Sequence, residues 1–412
     1  MNKRFQTSSF LGGLAVGVAV MLIALAVMII RFPGLSSVLD SNGLTFEEAS
    51  ALVEKVDTLV ATIDSGFYEV VDTENLLDGA YHGVVDTLGD KYSYYMNEEE
   101  FEAYQESGSG SYKGIGVTIQ LYETGGAEVI SVNESGGAYD AGIQVGDVII
   151  AADGTDLTGM TLDEIVLLVR GDEGTFVDLT YVRDGQEYTV SVERRTLAVT
   201  LVRYAMIDDE VGYLALTQFS ESADEQFENA LDDLLSQGMT KLVLDLRDNP
   251  GGRLNEVLKI ADRILGSGLI TYTMDKDGNT EQYYSDDTQT LDIPIVVLVN
   301  ENSASASELL TGALKDRGAA TVVGTTTFGK GIVQTTYPLL DGSAIKITTS
   351  RYYTPNGVCI HGEGITPDYE VELEEGTTVS SLRGTATYAD PSVDPQLAKA
   401  LEILKEGETV SE

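Results

Sequence analysis

The run IVVLVNENSASASELLTGALKDRGAATVVGTTTFGKGIVQ, Ile295 to Gln334, decides the fold. It opens on an unbroken apolar stretch, Ile295 to Val299, the pattern of a strand buried on both faces. A polar turn from Asn300 to Ser303 leads into a helix predicted over Ala306 to Asp316. Small residues crowd the junction, where free N–H groups at a helix start can face an anion. A second buried strand is predicted over Ala320 to Val323, ahead of Lys330, which glycines flank on both sides. Between Gly318 and Leu340 that lysine is the only charged residue, in a chain of formal net charge -42. A lone cation among apolar and hydroxyl neighbours fits a lysine whose charged form burial disfavours, as a catalytic base requires. A solvated loop lysine is the ordinary alternative.

Working outward, strands are predicted over Val211 to Phe219 and Lys241 to Leu246, with helices over Ala223 to Gln237 and Leu254 to Leu265. Strands and helices alternating at these lengths indicate an α/β layer with a largely parallel sheet. Ligands collect at the carboxyl ends of such strands. Asn249-Pro250-Gly251-Gly252 and the Ser303 to Ser307 run both sit at such ends, so they are expected to converge. Backbone N–H groups at Gly251, Gly252 and Ala306 are then candidate oxyanion donors. Gln334 carries an amide oxygen that can accept a hydrogen bond from Lys330 if the two side chains meet. Ser303, Ser305 and Ser307 compete as nucleophile, and physics alone does not choose among them. Two other systems stand beside serine and lysine: a serine with His361 and an aspartate, and Cys359 with His361. Cys359 and His361 would share a face of a strand, but Cys359 lacks a helix N-terminus or nearby cation to hold a thiolate.

The composition narrows the function classes. The chain has 412 residues and 43% apolar content, enough for two or three domains with real cores. Acidic residues number 67 against 25 basic ones, which argues against nucleic acid or an anionic lipid surface as a general partner. One cysteine excludes an intrachain disulfide, and two histidines with it do not make a zinc site of the usual nitrogen and sulfur type. No metal and no cofactor is expected. Phe10 to Ile30 form an uncharged apolar stretch of about 21 residues, long enough to span a bilayer. Lys3 and Arg4 precede it, which predicts a cytoplasmic N-terminus with the remainder of the chain outside the cell membrane. A cleaved signal peptide is the competing reading, but the apolar run is long and no convincing small-residue cleavage site precedes Arg31, so a signal anchor is expected.

An amphipathic helix with Thr45 as N-cap is predicted over Thr45 to Ile63, and shorter helical pieces around Glu74 to Leu88 and Glu98 to Gln105, with a tyrosine-rich turn, Asp90 to Met96, between the last two. Ser107 to Ser111, SGSGS, reads as a flexible joint. Beyond it lie Gly114-Ile115-Gly116-Val117, strands around Glu128 to Val132 and Asp147 to Ala151, a helix over Thr161 to Val169, and strands over Phe176 to Arg183 and Glu187 to Glu193. With the Ala141 to Asp147 run, AGIQVGD, this order resembles a PDZ domain. In that family the loop corresponding to Gly114, Ile115, Gly116 and Val117 binds a peptide's terminal carboxylate, and consecutive N–H groups on a glycine-rich loop do form an anion nest. Strands are also predicted over Ala344 to Ser350, Tyr352 to Gly357 and Gly364 to Asp368, with an irregular stretch over Leu373 to Tyr388 and a terminal helix over Asp394 to Lys405.

Ser303-Ala304-Ser305-Ala306-Ser307-Glu308, Phe328-Gly329-Lys330-Gly331 with Gln334, Asp245-Leu246-Arg247-Asp248-Asn249-Pro250-Gly251-Gly252, and Tyr352-Tyr353-Thr354-Pro355 occur in one order. Together they resemble the carboxyl-terminal processing peptidases, or tail-specific serine proteases, over roughly Glu74 to Glu372. The resemblance implies that Ser305 is the nucleophile, Lys330 the general base and Gln334 its orienting partner. It implies that the PDZ domain captures a protein's free C-terminus, that Arg170 relays this to the protease core, and that the terminal helices support a homodimer. A surface arginine is the plain alternative for Arg170, and a catalytically silent PDZ scaffold is the alternative for the whole chain. The expected fold class is α/β multidomain: a cytoplasmic N-terminus and transmembrane anchor (1–32), a helical region (33–106), a barrel-like PDZ domain (107–195), an α/β serine-protease core (196–372) and a C-terminal extension (373–412).

Overall fold

The computed structural model describes residues 45–122, 125–382 and 390–406. The predicted transmembrane stretch, Phe10 to Ile30, lies outside them. Among the described residues no helix is long and apolar enough to cross a membrane. The chain divides into two compact units, Met1–Gly83 and Val84–Glu412. In the first, the helix Phe46–Gly66 starts at a capping box, with Thr45 as N-cap and Glu48 returning a bond to the Thr45 N–H at 2.8 Å. A second helix, Thr73–Asp86, runs across the boundary between the units.

The second unit contains the two parts expected as a PDZ domain and an α/β core. The PDZ sheet runs in the order Val117–Leu121, Ala127–Val132, Val148–Ala152, Phe176–Arg183 and Gln186–Glu193, all antiparallel, with Thr155–Asp156 pairing on the third strand. Its inward positions, among them Val129, Ile149, Val177, Leu179 and Val192, bury completely against Ile165 of the helix Leu162–Val169. Asp184 and Gly185 both take positive φ, the twist-matched two-residue turn that an Asp-Gly pair favours. The domain is inserted on a two-stranded stem in which Ser111–Gly114 pairs with Arg195–Ala198. That stem corrects the flexible joint expected at SGSGS. The helix Glu98–Gly108 runs into it, and a Cβ at Gly110 would stand 2.2 Å from Glu221 O. Gly110 serves close packing rather than flexibility.

The α/β core is built on a sheet ordered Val202–Met206, Val211–Leu216, Lys241–Asp245, Ile295–Val299, Thr321–Gly324 and Tyr369–Glu370. Its first pair is antiparallel and the rest parallel. Alternate residues of each apolar run face opposite layers, which is why the runs are continuous. Leu242, Leu244, Val297 and Val299 pack under the helices Ala223–Ser236, Leu254–Ile264 and Ala306–Asp316. Val243, Val296, Leu298 and Val323 face the other way, against Leu397, Ala400, Leu401 and Leu404 of the helix Pro395–Glu406. The terminal helix is therefore half of the core's cover, not an appendage, since each fully buried leucine contributes about 1.5–3 kcal/mol. Arg247, buried under the sheet, ties it down through Asp245 and Asp394 at 2.7 and 2.8 Å and Gln396 at 2.8 Å.

A second, antiparallel sheet was not expected as such. Its central strand Ala344–Tyr353 pairs with Ile332–Pro338 along one side, and with Tyr94–Met96 and Gly268–Asp275 along the other, while Thr280–Ser285 closes a hairpin on Gly268–Asp275. The tyrosine-rich turn is thus partly a strand. Tyr352 and Tyr353 end the long strand, and the stretch expected as a strand over Gly364 to Asp368 is irregular.

Candidate active site

The loops after Lys241–Asp245 and Ile295–Val299 converge as their positions in a parallel sheet predict. Asp248 holds them together: its N–H donates to Asn300 Oδ1 at 2.8 Å, and its carboxylate accepts from Asn300 Nδ2 at 2.7 Å and Asn302 Nδ2 at 2.9 Å. Across this joint the three serines separate. Ser303 is wholly buried, its hydroxyl donating to Leu246 O at 2.8 Å. Ser307 is wholly buried and donates to Asn249 O at 2.9 Å. Ser305 alone of the three lines a cavity of about 460 Å³, with Lys330 and Gln334. It takes φ 54 and ψ -112 at the head of the helix Ala306–Asp316. A non-glycine residue held there costs about 1–3 kcal/mol and persists only where its surroundings impose it.

Glu308 imposes it. This buried side chain accepts from the Ser305 N–H at 2.8 Å and the Lys330 N–H at 2.8 Å on one oxygen. Its other oxygen accepts from the Gly329 N–H at 2.7 Å and the Thr327 hydroxyl at 2.6 Å. One carboxylate therefore fixes the backbone of both the serine and the lysine. Sequence reasoning assigned it no role, although Ser305-x-x-Glu308 is a capping-box pattern. Tyr352, also buried, donates its hydroxyl to Ser305 O at 2.8 Å.

Lys330 is half-buried, with Nζ 4.9 Å from the ring centre of Tyr92. Burial lowers its pKa below the ordinary lysine value, and the like charge of Lys346 pushes the same way, against the opposing pull of Glu308 and Asp90. Gln334 lies at a bulge in the strand Ile332–Pro338, and its Nε2 is buried with no partner among the described residues. Among the described residues no hydrogen bond joins Lys330 Nζ to Ser305 or to Gln334; shared lining of the cavity is what brings the three together.

The three candidate oxyanion amides are not equivalent. The Gly251 N–H is already donated to Asn249 Oδ1 at 2.9 Å, which corrects its assignment as a donor. Gly251 acts by its smallness: a Cβ there would lie 2.8 Å from Ser305 Cβ and 2.9 Å from Ala306 N. The Gly252 and Ala306 N–H groups donate to nothing among the described residues, and both residues line the cavity. A half-buried lysine, a serine on a strained bend and two open amides can carry out acyl transfer.

Residues 210–371 match the model of peptidase family S41. A "Probable CtpA-like serine protease" of Staphylococcus epidermidis is 35% identical over 365 residues, which span 88% of this chain and 74% of the relative. The chain belongs to peptidase family S41. It is a serine protease, of the C-terminal processing peptidase kind. A second relative of the same name, from Staphylococcus haemolyticus, is 35% identical over 351 residues, covering 84% of this chain and 70% of that one. The solved structure of a photosystem II D1 C-terminal processing protease has 29% identity and a TM-score of 0.47, over 74% of this chain and 84% of its own. Residues 106–181 match the PDZ domain, and 19–100 the N-terminal domain of the activating protease CtpB.

In this S41 peptidase the PDZ groove, about 100 Å³, is lined by Gly114, Ile115, Gly116 and Val117 with Tyr112 and Arg170. The Ile115 and Gly116 N–H groups donate to nothing among the described residues. Arg170 is exposed at the C-cap of the helix Leu162–Val169, and among the described residues it makes no hydrogen bond or ion pair to the protease core. The knot between the PDZ helix and the stem is Arg194, which donates to the carbonyls of Val169 at 2.8 Å, Leu168 at 3.2 Å and Phe176 at 2.7 Å. Cys359 and His361 do not line the Ser305 cavity; His361 lines a separate one with Asp90 and Arg351. This removes the alternative in which His361 serves Ser305 as base.

Proposed function

We propose that this protein is a membrane-anchored, extracytoplasmic endopeptidase that takes protein C-termini into its PDZ groove and cleaves near them. Ser305 Oγ attacks the scissile carbonyl carbon while Lys330 Nζ accepts its proton. The carbonyl oxygen becomes an oxyanion between the Gly252 and Ala306 N–H groups. As the C–N bond breaks, Lys330 returns the proton to the leaving amine, and an acyl ester remains on Ser305. Water then attacks the ester, Lys330 takes its proton, and the departing serine oxygen recovers one. Gln334 orients the lysine. What carries the reading is that Ser305, Lys330 and Gln334 line one cavity while Ser303 and Ser307 are bonded away from it. The open amides of Ile115 and Gly116 support capture of a terminal carboxylate, and the apolar stretch Phe10 to Ile30 supports the anchor.

The test is cleavage of an unfolded protein by wild type, Ser305→Ala and Lys330→Ala. Both variants should fold and lose about 10³-fold or more in kcat/KM. Equal proteolysis by wild type and Ser305→Ala overturns the mechanism. On the Ser305→Ala protein, amidating a peptide's C-terminus should weaken binding, and an unchanged affinity removes the role given to the groove. Membrane fractionation with and without residues 1–32 tests the anchor: a full chain found in the soluble fraction refutes it.

A further inference from the structure

The Ser305 cavity has a charge lining opposite to that of the protein. In a chain with 67 acidic residues, none of the described aspartates or glutamates lines it, and its charged lining among the described residues is Arg253, Lys330 and Lys346. Two of these cations are accounted for. Arg253, on the exposed rim, is ion-paired with Glu221 at 3.2 Å. Lys330 is the proposed base. Lys346 is not accounted for. Its Nζ lies 4.6 Å from the ring centre of Tyr104 and 5.4 Å from that of Tyr94, and among the described residues its one hydrogen bond is to Tyr94 Oη at 3.4 Å. An ammonium has three donors, so two remain open. Aromatic faces hold a cation in place but do not neutralise it. Among the described residues Lys346 has no carboxylate partner. Its backbone is also fixed, paired with Tyr94 on one side and Thr336 on the other. A half-buried cation, caged, held on a central strand and left without an anion beside the nucleophile, is arranged for an anion that arrives with the substrate.

We propose that Lys346 binds a carboxylate of the substrate inside the cleavage cavity, supplied either by the C-terminus itself or by an acidic side chain near the scissile bond. This rests on the assignment of Ser305 and Lys330 above. It adds a second point of carboxylate reading beyond the PDZ groove, at the site of bond cleavage. The repulsion that Lys346 exerts on Lys330 supports their proximity.

The test uses the full-length protein in detergent with peptides sharing one cleavable bond: a free acid, its C-terminal amide, and amidated versions carrying Glu or Gln beside that bond. Wild type, Lys346→Met and Lys346→Arg are compared by two ratios of kcat/KM, acid over amide and Glu over Gln. Methionine keeps an unbranched stem against the tyrosine rings, and any general change in rate divides out of both ratios. The PDZ groove's own preference divides out as well, because Lys346 is not part of it. At least one ratio should fall about tenfold in Lys346→Met and recover in Lys346→Arg, as expected for loss of one charge-assisted hydrogen bond. A fall in the first ratio names the C-terminus as the source, and a fall in the second names a side chain. Both ratios unchanged overturns the proposal. Failure of the parent assignment shows separately, as undiminished cleavage by Ser305→Ala.

Discussion

Replacing Glu308 by Gln is the sharpest test of how this site is held. The substitution is nearly isosteric, so no cavity opens. In the native protein two oxygens accept four donors: the N–H groups of Ser305, Gly329 and Lys330 and the Thr327 hydroxyl, at 2.6 to 2.8 Å. The Thr327 hydroxyl itself accepts from the Ile365 N–H at 2.7 Å, so its own hydrogen is directed to Glu308. Glutamine offers one oxygen, which can serve one pair of donors, and its NH₂ then faces the other pair. Two buried donors are left opposite donors, at about 1–3 kcal/mol each, so destabilisation of about 3–5 kcal/mol is expected by denaturant titration. The backbone of Ser305 or Lys330 relaxes away from the clash, and a displacement near 1 Å costs about 10²-fold in rate. The pH profile adds a signature that loss of stability alone does not produce. The Glu308 charge raises the Lys330 pKa. Removing it favours neutral Lys330, so the acid limb of kcat/KM should move to lower pH even as the plateau falls. Wild-type stability and rate, or a limb displaced to higher pH, would refute this account of Glu308.

Gly251→Ala should behave as an active-site lesion. Its Cβ meets Ala304 O, Ser305 Cβ and Ala306 N at 2.7, 2.8 and 2.9 Å with φ at +97, whereas Gly278→Ala has a similar φ of +83 and nothing within 4 Å. Both lose about 1–2 kcal/mol from the backbone, but only Gly251→Ala should lose about 10²-fold or more in kcat, and equal kcat in the two variants contradicts the close apposition. Arg247→Met strands the buried carboxylates of Asp245 and Asp394 and should lower stability by about 3–5 kcal/mol; a midpoint of denaturation within error of wild type counts against it. In wild type the base must be neutral, so kcat/KM should rise with pH through the lowered Lys330 pKa. Lys346→Met removes a repelling charge, raises that pKa and should carry the acid limb to higher pH; a limb that stays still or moves down rejects the electrostatic coupling.

What was legible in the sequence follows from how far apart the interacting residues lie. The parallel sheet was readable because runs such as Ile295–Val299 are buried on both faces and need no partner to be recognised. The helix Ala306–Asp316 was placed to the residue, since small residues before it and Arg317-Gly318 after it mark both ends. The antiparallel sheet was hidden for the opposite reason. Its strands, such as Ile332–Pro338 and Thr280–Ser285, are polar and half-exposed, and Tyr94 meets Lys346 across 252 residues. That sheet is also what carries Lys346 and Gln334 to the cavity and, through the neighbouring turn, Tyr92 to Lys330. The second missing signal was occupancy. Gly251 and Gly252 look alike in sequence, and only the Asn249 side chain, folded back in an Asx turn, decides which amide is left open.

The same occupancy explains the alternation Ser303-Ala304-Ser305-Ala306-Ser307. Ser303 and Ser307 both donate to carbonyls of the neighbouring loop, at Leu246 and Asn249, and Ala304 N–H donates to Asn249 O at 3.0 Å. These bonds fix the loop that bears Gly252 against the one that bears Ser305. A serine between two anchored serines, turned outward by its positive φ, is then held in register with both open amides before any substrate binds. The alanines keep the approach close, and Gly251 completes it where even a methyl group would meet Ser305 Cβ at 2.8 Å. On the proposed mechanism, preorganisation of nucleophile and oxyanion donors thus comes from the two serines that take no part in the bond changes.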